Sequence, residues 1–226
     1  METNTMTCFD DECKILYHGS KNSNLVPTYG GGRENNDYGN GLYTTPEKEL
    51  GREWAYASYT AGDVGYLYTY SLDMNGLKVL DLTKLSPLNW IAELLTNRKV
   101  NTNEREGLQD TVDAFLSRYK LDTSGYDVII GYRADDSYFS YATDFVSGFI
   151  YLDTLEIALK NGDLGIQYFV KSKRAFDRLS QVGEPEIVDA KYRGFYLKRD
   201  KNAREKYKRD RMNQVSRKKQ RIFDFI

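Results

Sequence analysis

An α+β fold is what this sequence predicts, on three observations. Short apolar runs with strand-like alternation are scattered among segments of helical period, in no regular strand–helix–strand order. The chain has 226 residues and 40% apolar content, enough for one sizeable core, or for one domain plus an appendage. Nineteen tyrosines accompany ten phenylalanines. Tyrosine covers apolar surface and presents a hydroxyl, which suits a β-rich core and a ligand cleft equally.

The elements follow in order. Lys14 to His18 reads as a short early strand. Ser20 to Asn40 is polar and glycine-rich, a loop of roughly 20 residues carrying Gly30-Gly31-Gly32; loops of that length tend to be functional or mobile. A glycine-flanked segment, Gly39 to Thr45, leads into a helix from about Pro46 to Tyr59. There Thr45 is expected as N-cap and Pro46 as the first helical residue. Gly65 to Asp73 alternates as a strand, and Lys78 to Leu82 is another. Pro87 to Thr96 and Glu106 to Tyr119 are helical, with Leu88, Ile91, Leu94 and Leu95 on one face. Asp127 to Gly131 is a short buried strand. Ser137 to Gly148 and Asp153 to Lys160 are helices. Gln167 to Lys171 and Glu186 to Ala190 are strands. The tail from Phe195 to Arg221 is rich in helix formers.

Charge is unevenly placed. The formal net charge is −1, yet residues 198–226 hold 12 Lys+Arg against 4 Asp+Glu, a net of +8. The remaining 20 basic and 29 acidic residues give the body a net of −9. We therefore expect one domain over residues 14–194 and a basic helical tail over 195–226. Three readings of the tail stand open: a solvated helix, a contact for nucleic acid through counterion release, or docking on the acidic body or an acidic partner such as a neutralising protein. Phe223, Phe225 and Ile226 are candidate anchors.

Cys8 and Cys13 are a single close pair with no histidine nearby, so no metal site is expected. Reduced thiols in a cytoplasmic protein are the simplest expectation. Residues 1–11 have neither the basic nor the apolar region of a secretory signal. No run of 18 apolar residues offers a membrane span.

Four side chains suggest a binding pocket. His18, the only histidine, lies in Leu16-Tyr17-His18-Gly19-Ser20 at the end of the first strand. Tyr43 lies in Tyr38-Gly39-Asn40-Gly41-Leu42-Tyr43-Thr44-Thr45. Trp54 follows eleven residues later on the next helix. Gln167 opens the late strand Gln167-Tyr168-Phe169-Val170. Taken singly, each has a plain structural use. Trp54 shares a helical face with Leu50 and Ala57 and serves equally as core.

In order and spacing these segments resemble the three motifs of the diphtheria-toxin and poly-ADP-ribose-polymerase branch of ADP-ribosyltransferases. The layout from about residue 14 to 190 more closely resembles the bacterial DUF3990 family, grouped with these transferases. The resemblance implies a split β-sheet core of two small, mostly antiparallel sheets enclosing a cleft for NAD, which is both cofactor and substrate. It implies that His18 hydrogen-bonds a ribose hydroxyl of the adenosine half. The backbone of Gly19 would hold the nicotinamide amide, and Tyr43 and Trp54 would sandwich the ring. Ser20 and Thr45 would support with their hydroxyls. The Gly30 to Gly32 loop would close over the dinucleotide.

The implied chemistry is cleavage of the nicotinamide–ribose bond and transfer of ADP-ribose, with His18, Tyr43 and Gln167 as the catalytic set. The branch usually carries glutamate where this chain has Gln167. An amide accepts a hydrogen bond but is no general base. Transfer of a single ADP-ribose to a protein or nucleic-acid acceptor is therefore expected, as by a toxin or defence effector. A silent binding module for NAD, ADP-ribose or nucleic acid, and an NAD glycohydrolase, are the alternatives. Asp135 and Asp136 are candidates for the missing carboxylate, with capping of the next helix as their alternative use.

Overall fold

The computed structural model describes residues 12–57, 60, 62–98, 100, 106–134, 136–160, 165–213 and 218–226, less the side chains of 136–138 and 160. Among these, eight strands form two four-stranded sheets and seven helices pack around them.

In the first sheet, β1 (Cys13–Ser20) pairs antiparallel with β3 (Gly65–Asp73) along its whole length, from Cys13 opposite Asp73 to Ser20 opposite Tyr66. The other edge of β3 carries β7 (Leu179–Gln181) and β8 (Glu186–Val188). The second sheet runs β2 (Leu42–Thr44), β6 (Ile166–Val170), β5 (Val128–Tyr132), β4 (Val79–Asp81). Its β4–β5 pair is parallel and the others antiparallel. Among the described residues one backbone bridge links the two sheets. Tyr17 and Thr45 exchange backbone hydrogen bonds of 2.8 and 2.9 Å. That bridge sets the end of β1 beside β2 and opens the site described below.

The larger core lies on the second sheet. Helix α2 (Pro87–Asn97) starts on a Ser86 cap whose Oγ accepts from Leu88 N at 3.3 Å. It buries Leu88, Ile91, Leu94 and Leu95, the face expected from their spacing. Each such side chain contributes about 1.5–3 kcal/mol of burial. Helices α3 (Leu108–Tyr119), α4 (Asp136–Val146) and α5 (Leu152–Lys160) complete that cluster with Phe115, Phe145 and Leu155. A smaller cluster joins the sheets, with Leu16, Tyr70 and Leu72 from the first and Leu42, Val128 and Val170 from the second.

Three local expectations change. The helix expected over 46–59 is α1 (Lys48–Trp54), with Glu47 as its cap residue. Thr45 cannot begin it, because both its backbone groups are engaged by Tyr17 and hold the chain extended. Its Oγ1 accepts from Glu47 N instead, at 3.2 Å. Residues 58 and 59 lie outside the described residues. A short helix α6 (Lys173–Phe176) and strand β7 were not anticipated; three or four residues are too few to display a period. Cys13 is disulfide-bonded, not the reduced thiol expected, and Cys8 lies outside the described residues.

The tail docks on the body. Helix α7 (Lys191–Met212) runs through the boundary expected at 194/195. Arg199 Nε and Nη2 donate to the two oxygens of Glu53 on α1 at 2.7 and 2.9 Å. Tyr207 donates to Asp144 at 2.5 Å, and Tyr141 donates to Asp210 at 2.8 Å. Beyond the helix Ile222 is fully buried, while Phe225 and Ile226 pack at the edge of the large core. Phe223, expected as an anchor, is exposed because Ile222 takes the inward position. No helix among the described residues is long and apolar enough to cross a membrane.

Candidate functional site

The two sheets diverge from the Tyr17–Thr45 bridge, and two hollows lie there. The first, of about 430 Å³, is lined by Gly19 of β1, Tyr43 of β2, Trp54 of α1 and Gln167 of β6. Asn36, Asp37, Arg98, Arg133 and Tyr196 share the lining. The second, of about 390 Å³, is lined by His18 and by Gly31, Gly32 and Arg33 of the long loop. Asn36 and Tyr43 line both, so the hollows adjoin. Together they have the size of a small-molecule cleft. Of the residues expected at the site, His18, Gly19, Tyr43, Trp54 and Gln167 are thus brought together. Ser20 and Thr45 line neither hollow: Ser20 Oγ accepts from Asn22 N, and Thr45 is fully buried.

His18 is oriented by its own backbone surroundings. Its Nδ1 lies 2.7 Å from the carbonyl oxygen of Tyr43. A carbonyl only accepts, so Nδ1 carries the proton and Nε2 is left as an acceptor. Burial lowers the pKa of the ring, and the Tyr43 carbonyl opposes that only in part. The imidazole is accordingly neutral at pH 7, with Nε2 ready to receive a hydroxyl proton.

Gly19 is required by packing. A Cβ there would fall 2.2 Å from Ala55 N and from Gly51 O, inside the last turn of α1. The strand and helix backbones touch at this position, which brings Trp54 to the cavity wall. The absent Cβ thus makes room for the helix, while Gly19 still lines the hollow.

Tyr43 is clamped. Its hydroxyl donates to Gly39 O at 2.7 Å and accepts from Tyr38 N at 2.9 Å. Its ring packs on Phe169 at 4.8 Å between centroids. Gly39 takes φ +88, a left-handed conformation that glycine adopts without strain. Gly41 has no room for a Cβ, which would meet Val170 O and Phe169 at 2.5 Å. The glycine pattern around Tyr43 therefore has a steric origin. Trp54 carries the Arg133 guanidinium 5.2 Å from its ring centre. Its indole Nε1 is buried without a hydrogen-bond partner.

Gln167 is 2% exposed. Its Nε2 donates to Asp37 Oδ2 at 3.0 Å, with the Tyr132 carbonyl at 3.4 Å. Both neighbours are acceptors, so Oε1 is the acceptor end of the amide. Asp37 also accepts from Ala134 N at 2.9 Å and pairs with Arg98 Nη1 at 3.2 Å. Burial raises the pKa of Asp37, against the opposing pull of Arg98, Gln167 and the Ala134 amide.

Sequence reasoning missed Asp37, Arg98, Arg133 and Tyr196. The one local sign of Asp37 was an acid placed directly before Tyr38. The carboxylate sought at Asp135 and Asp136 is not described there. Asp135 lies outside the described residues, and Asp136 opens α4 with an undescribed side chain.

Residues 14–181 match the sequence pattern of one family, described as Protein of unknown function (DUF3990). No curated protein and no solved structure matches the chain. The match covers both sheets except β8 and the first residue of β1, and every residue of the site except Tyr196. The chain belongs to the DUF3990 family.

Proposed function

We propose that the protein is a mono-ADP-ribosyltransferase, cleaving NAD at the nicotinamide–ribose bond and passing one ADP-ribose to a protein or nucleic-acid acceptor. The observation that carries this reading is the convergence of Gly19, Tyr43, Trp54 and Gln167, from four separate elements, on one cavity that adjoins a second bounded by His18. Two sheets that part at a single bridge support the split-sheet core that the resemblance implies.

In this reading the nicotinamide end occupies the first hollow, against Tyr43 and Trp54. Aromatic stacking there is worth about 0.5–1.5 kcal/mol beyond area burial. The orphaned Trp54 Nε1–H fits an acceptor on the ligand, because a buried donor without a partner costs stability until one is supplied. The adenosine end occupies the second hollow, where neutral His18 presents Nε2 to a ribose hydroxyl. Gly31, Gly32 and Arg33 line that hollow, as a loop closing over the dinucleotide would. Gln167 receives a ribose hydroxyl on Oε1. Rings, imidazole and amide hold the substrate in place, and position alone lowers the barrier substantially.

The deciding experiment uses full-length protein, NAD labelled in the adenylate, and a cell lysate. We expect release of nicotinamide and movement of label onto a macromolecule. Nuclease and protease treatment of the product separates the two acceptor classes. Nicotinamide release with label remaining as free ADP-ribose would identify a glycohydrolase. Absence of NAD binding by calorimetry, together with no turnover, rejects the proposal.

One observation favours the second reading, a binding module without chemistry. The residue at the usual glutamate position is an amide, with its nitrogen tied to Asp37. NAD affinity without nicotinamide release would establish that alternative.

A further inference from the structure

Breaking a glycosidic bond to a departing nicotinamide leaves positive charge on the ribose. In the transferase reading, on which this inference rests, neutral Gln167 offers that charge only a dipole. We infer that Asp37 supplies the negative charge, acting from beneath Gln167 as the carboxylate that faces the ribose.

Four observations carry the assignment. Asp37 is the one acid among the described residues that line the first hollow, beside Tyr43, Trp54 and Gln167. It is 8% exposed, so its charge acts in a low-dielectric setting, where it has greater effect than in water. It is fixed in place by Ala134 N, Gln167 Nε2 and Arg98 Nη1, at 2.9, 3.0 and 3.2 Å. A carboxylate has about four acceptor positions, so these three donors leave capacity for one more. A ribose hydroxyl is the donor the reaction would bring.

The step balances without a further reagent. The C1′–N bond of NAD breaks, and its electron pair passes to the pyridinium nitrogen, which becomes neutral nicotinamide. The ribose takes up positive charge shared between C1′ and the ring oxygen. Asp37 remains ionised and stabilises that charge. The acceptor atom then gives a lone pair to C1′ and releases its proton to solvent.

The assignment places the charge beside Gln167 in the lining of the first hollow. It also accounts for how this chain manages with Gln167. Two carboxylates 3 Å apart would repel, and an amide at 167 both removes the repulsion and orients Asp37 by donating to it.

The test compares wild type, Asp37→Asn, and the exchange Asp37→Asn with Gln167→Glu, all in the full-length protein. Nicotinamide release gives kcat and KM, calorimetry gives NAD affinity, and thermal melting reports folding. We expect Asp37→Asn to lower kcat about 10²-fold while KM for NAD changes by less than about threefold. The exchange variant, which moves the charge one hydrogen bond away, should regain about tenfold or more of that loss. A purely structural role predicts that melting temperature and kcat fall together while KM rises. That pattern, or an Asp37→Asn enzyme within about threefold of wild type, overturns the assignment. Should Asp37→Asn fail to fold, the exchange variant decides: folded and still slow, it overturns the assignment; folded and faster than about a tenth of wild type, it supports it. A wild-type protein that neither binds NAD nor releases nicotinamide overturns the transferase reading and this assignment with it. An active wild type with an unimpaired Asp37→Asn overturns the assignment alone.

Discussion

Gln167 donates its side-chain amide to the Asp37 carboxylate across 3.0 Å, joining β6 to the long loop over 130 residues of chain. Both side chains are buried. Gln167→Glu should therefore place two carboxylates within hydrogen-bond distance. Near-neutral pH then forces either repulsion or the uptake of one shared proton. The folded state of the variant binds that proton more tightly than the unfolded chain does, so its deficit is largest at high pH and shrinks as pH falls. We expect a loss of about 1–3 kcal/mol at pH 8, mostly recovered near pH 5, by denaturant unfolding at the two values. An equal loss at both would show that the pair does not share a proton.

Gly19 presses against α1 so closely that its substitution reads out packing alone. A methyl there would meet Ala55 N and Gly51 O at 2.2 Å and the Trp54 carbonyl carbon at 2.7 Å. These are backbone atoms, which cannot rotate aside. Gly19→Ala should cost about 3 kcal/mol or more, lowering the melting temperature by roughly 6–12 °C in a chain of this size. The loss should be the same with and without NAD. A variant that melts as wild type does and has only lost NAD affinity would show that the glycine serves the ligand and not the packing.

What the sequence made legible, and what it hid, divides by range. Strand β3 appears at its full extent because alternation is local: Tyr68, Tyr70 and Leu72 lie on one buried face, and Leu67 is buried on the other. Tyr43 stood out because its neighbouring glycines answer steric demands made within a few residues. Asp37 did not, because its meaning arises only when Gln167, Arg98 and Ala134 arrive from distant elements. The same holds for Tyr196, which reaches the cavity from α7. Thr45 misled for a related reason. Its sequence context suits a helix cap, and pairing with Tyr17, 28 positions earlier, overrides that preference. Local propensity yields wherever tertiary pairing claims the backbone.

His18 is the only histidine, so one imidazole signal reports the site. Burial lowers its pKa from the ordinary 6.5. A proton–carbon NMR titration should place its midpoint below that value, with Nδ1 protonated in the neutral form. The unfolded chain then binds the proton first, so the histidine's contribution to stability is complete above about pH 6.5 and declines as pH falls through the folded value. His18→Gln should show a shallower loss of stability between roughly pH 6.5 and 5. A midpoint well above the ordinary value would mean that the ring is charged when NAD approaches, and that Nε2 is a donor.

The Arg199–Glu53 pair decides whether the basic tail is an appendage or a wall of the fold. Glu53 has a side chain 7% exposed, and Arg199 is 30% exposed; the guanidinium meets both carboxylate oxygens. Removing the arginine strands a buried carboxylate, whereas removing both partners strands nothing. Because Arg199 is partly solvated, the cost of Arg199→Ala should be moderate, about 2 kcal/mol, and below that of a fully buried pair. The double variant Arg199→Ala with Glu53→Gln should be more stable than the single one by about 1 kcal/mol. Since Trp54 follows Glu53 and Tyr196 precedes Arg199 by one helical turn, loosening this pair should also weaken NAD binding at the first hollow. Calorimetry on the folded single variant measures that coupling. Unchanged affinity would show that α7 lies against the cleft without shaping it.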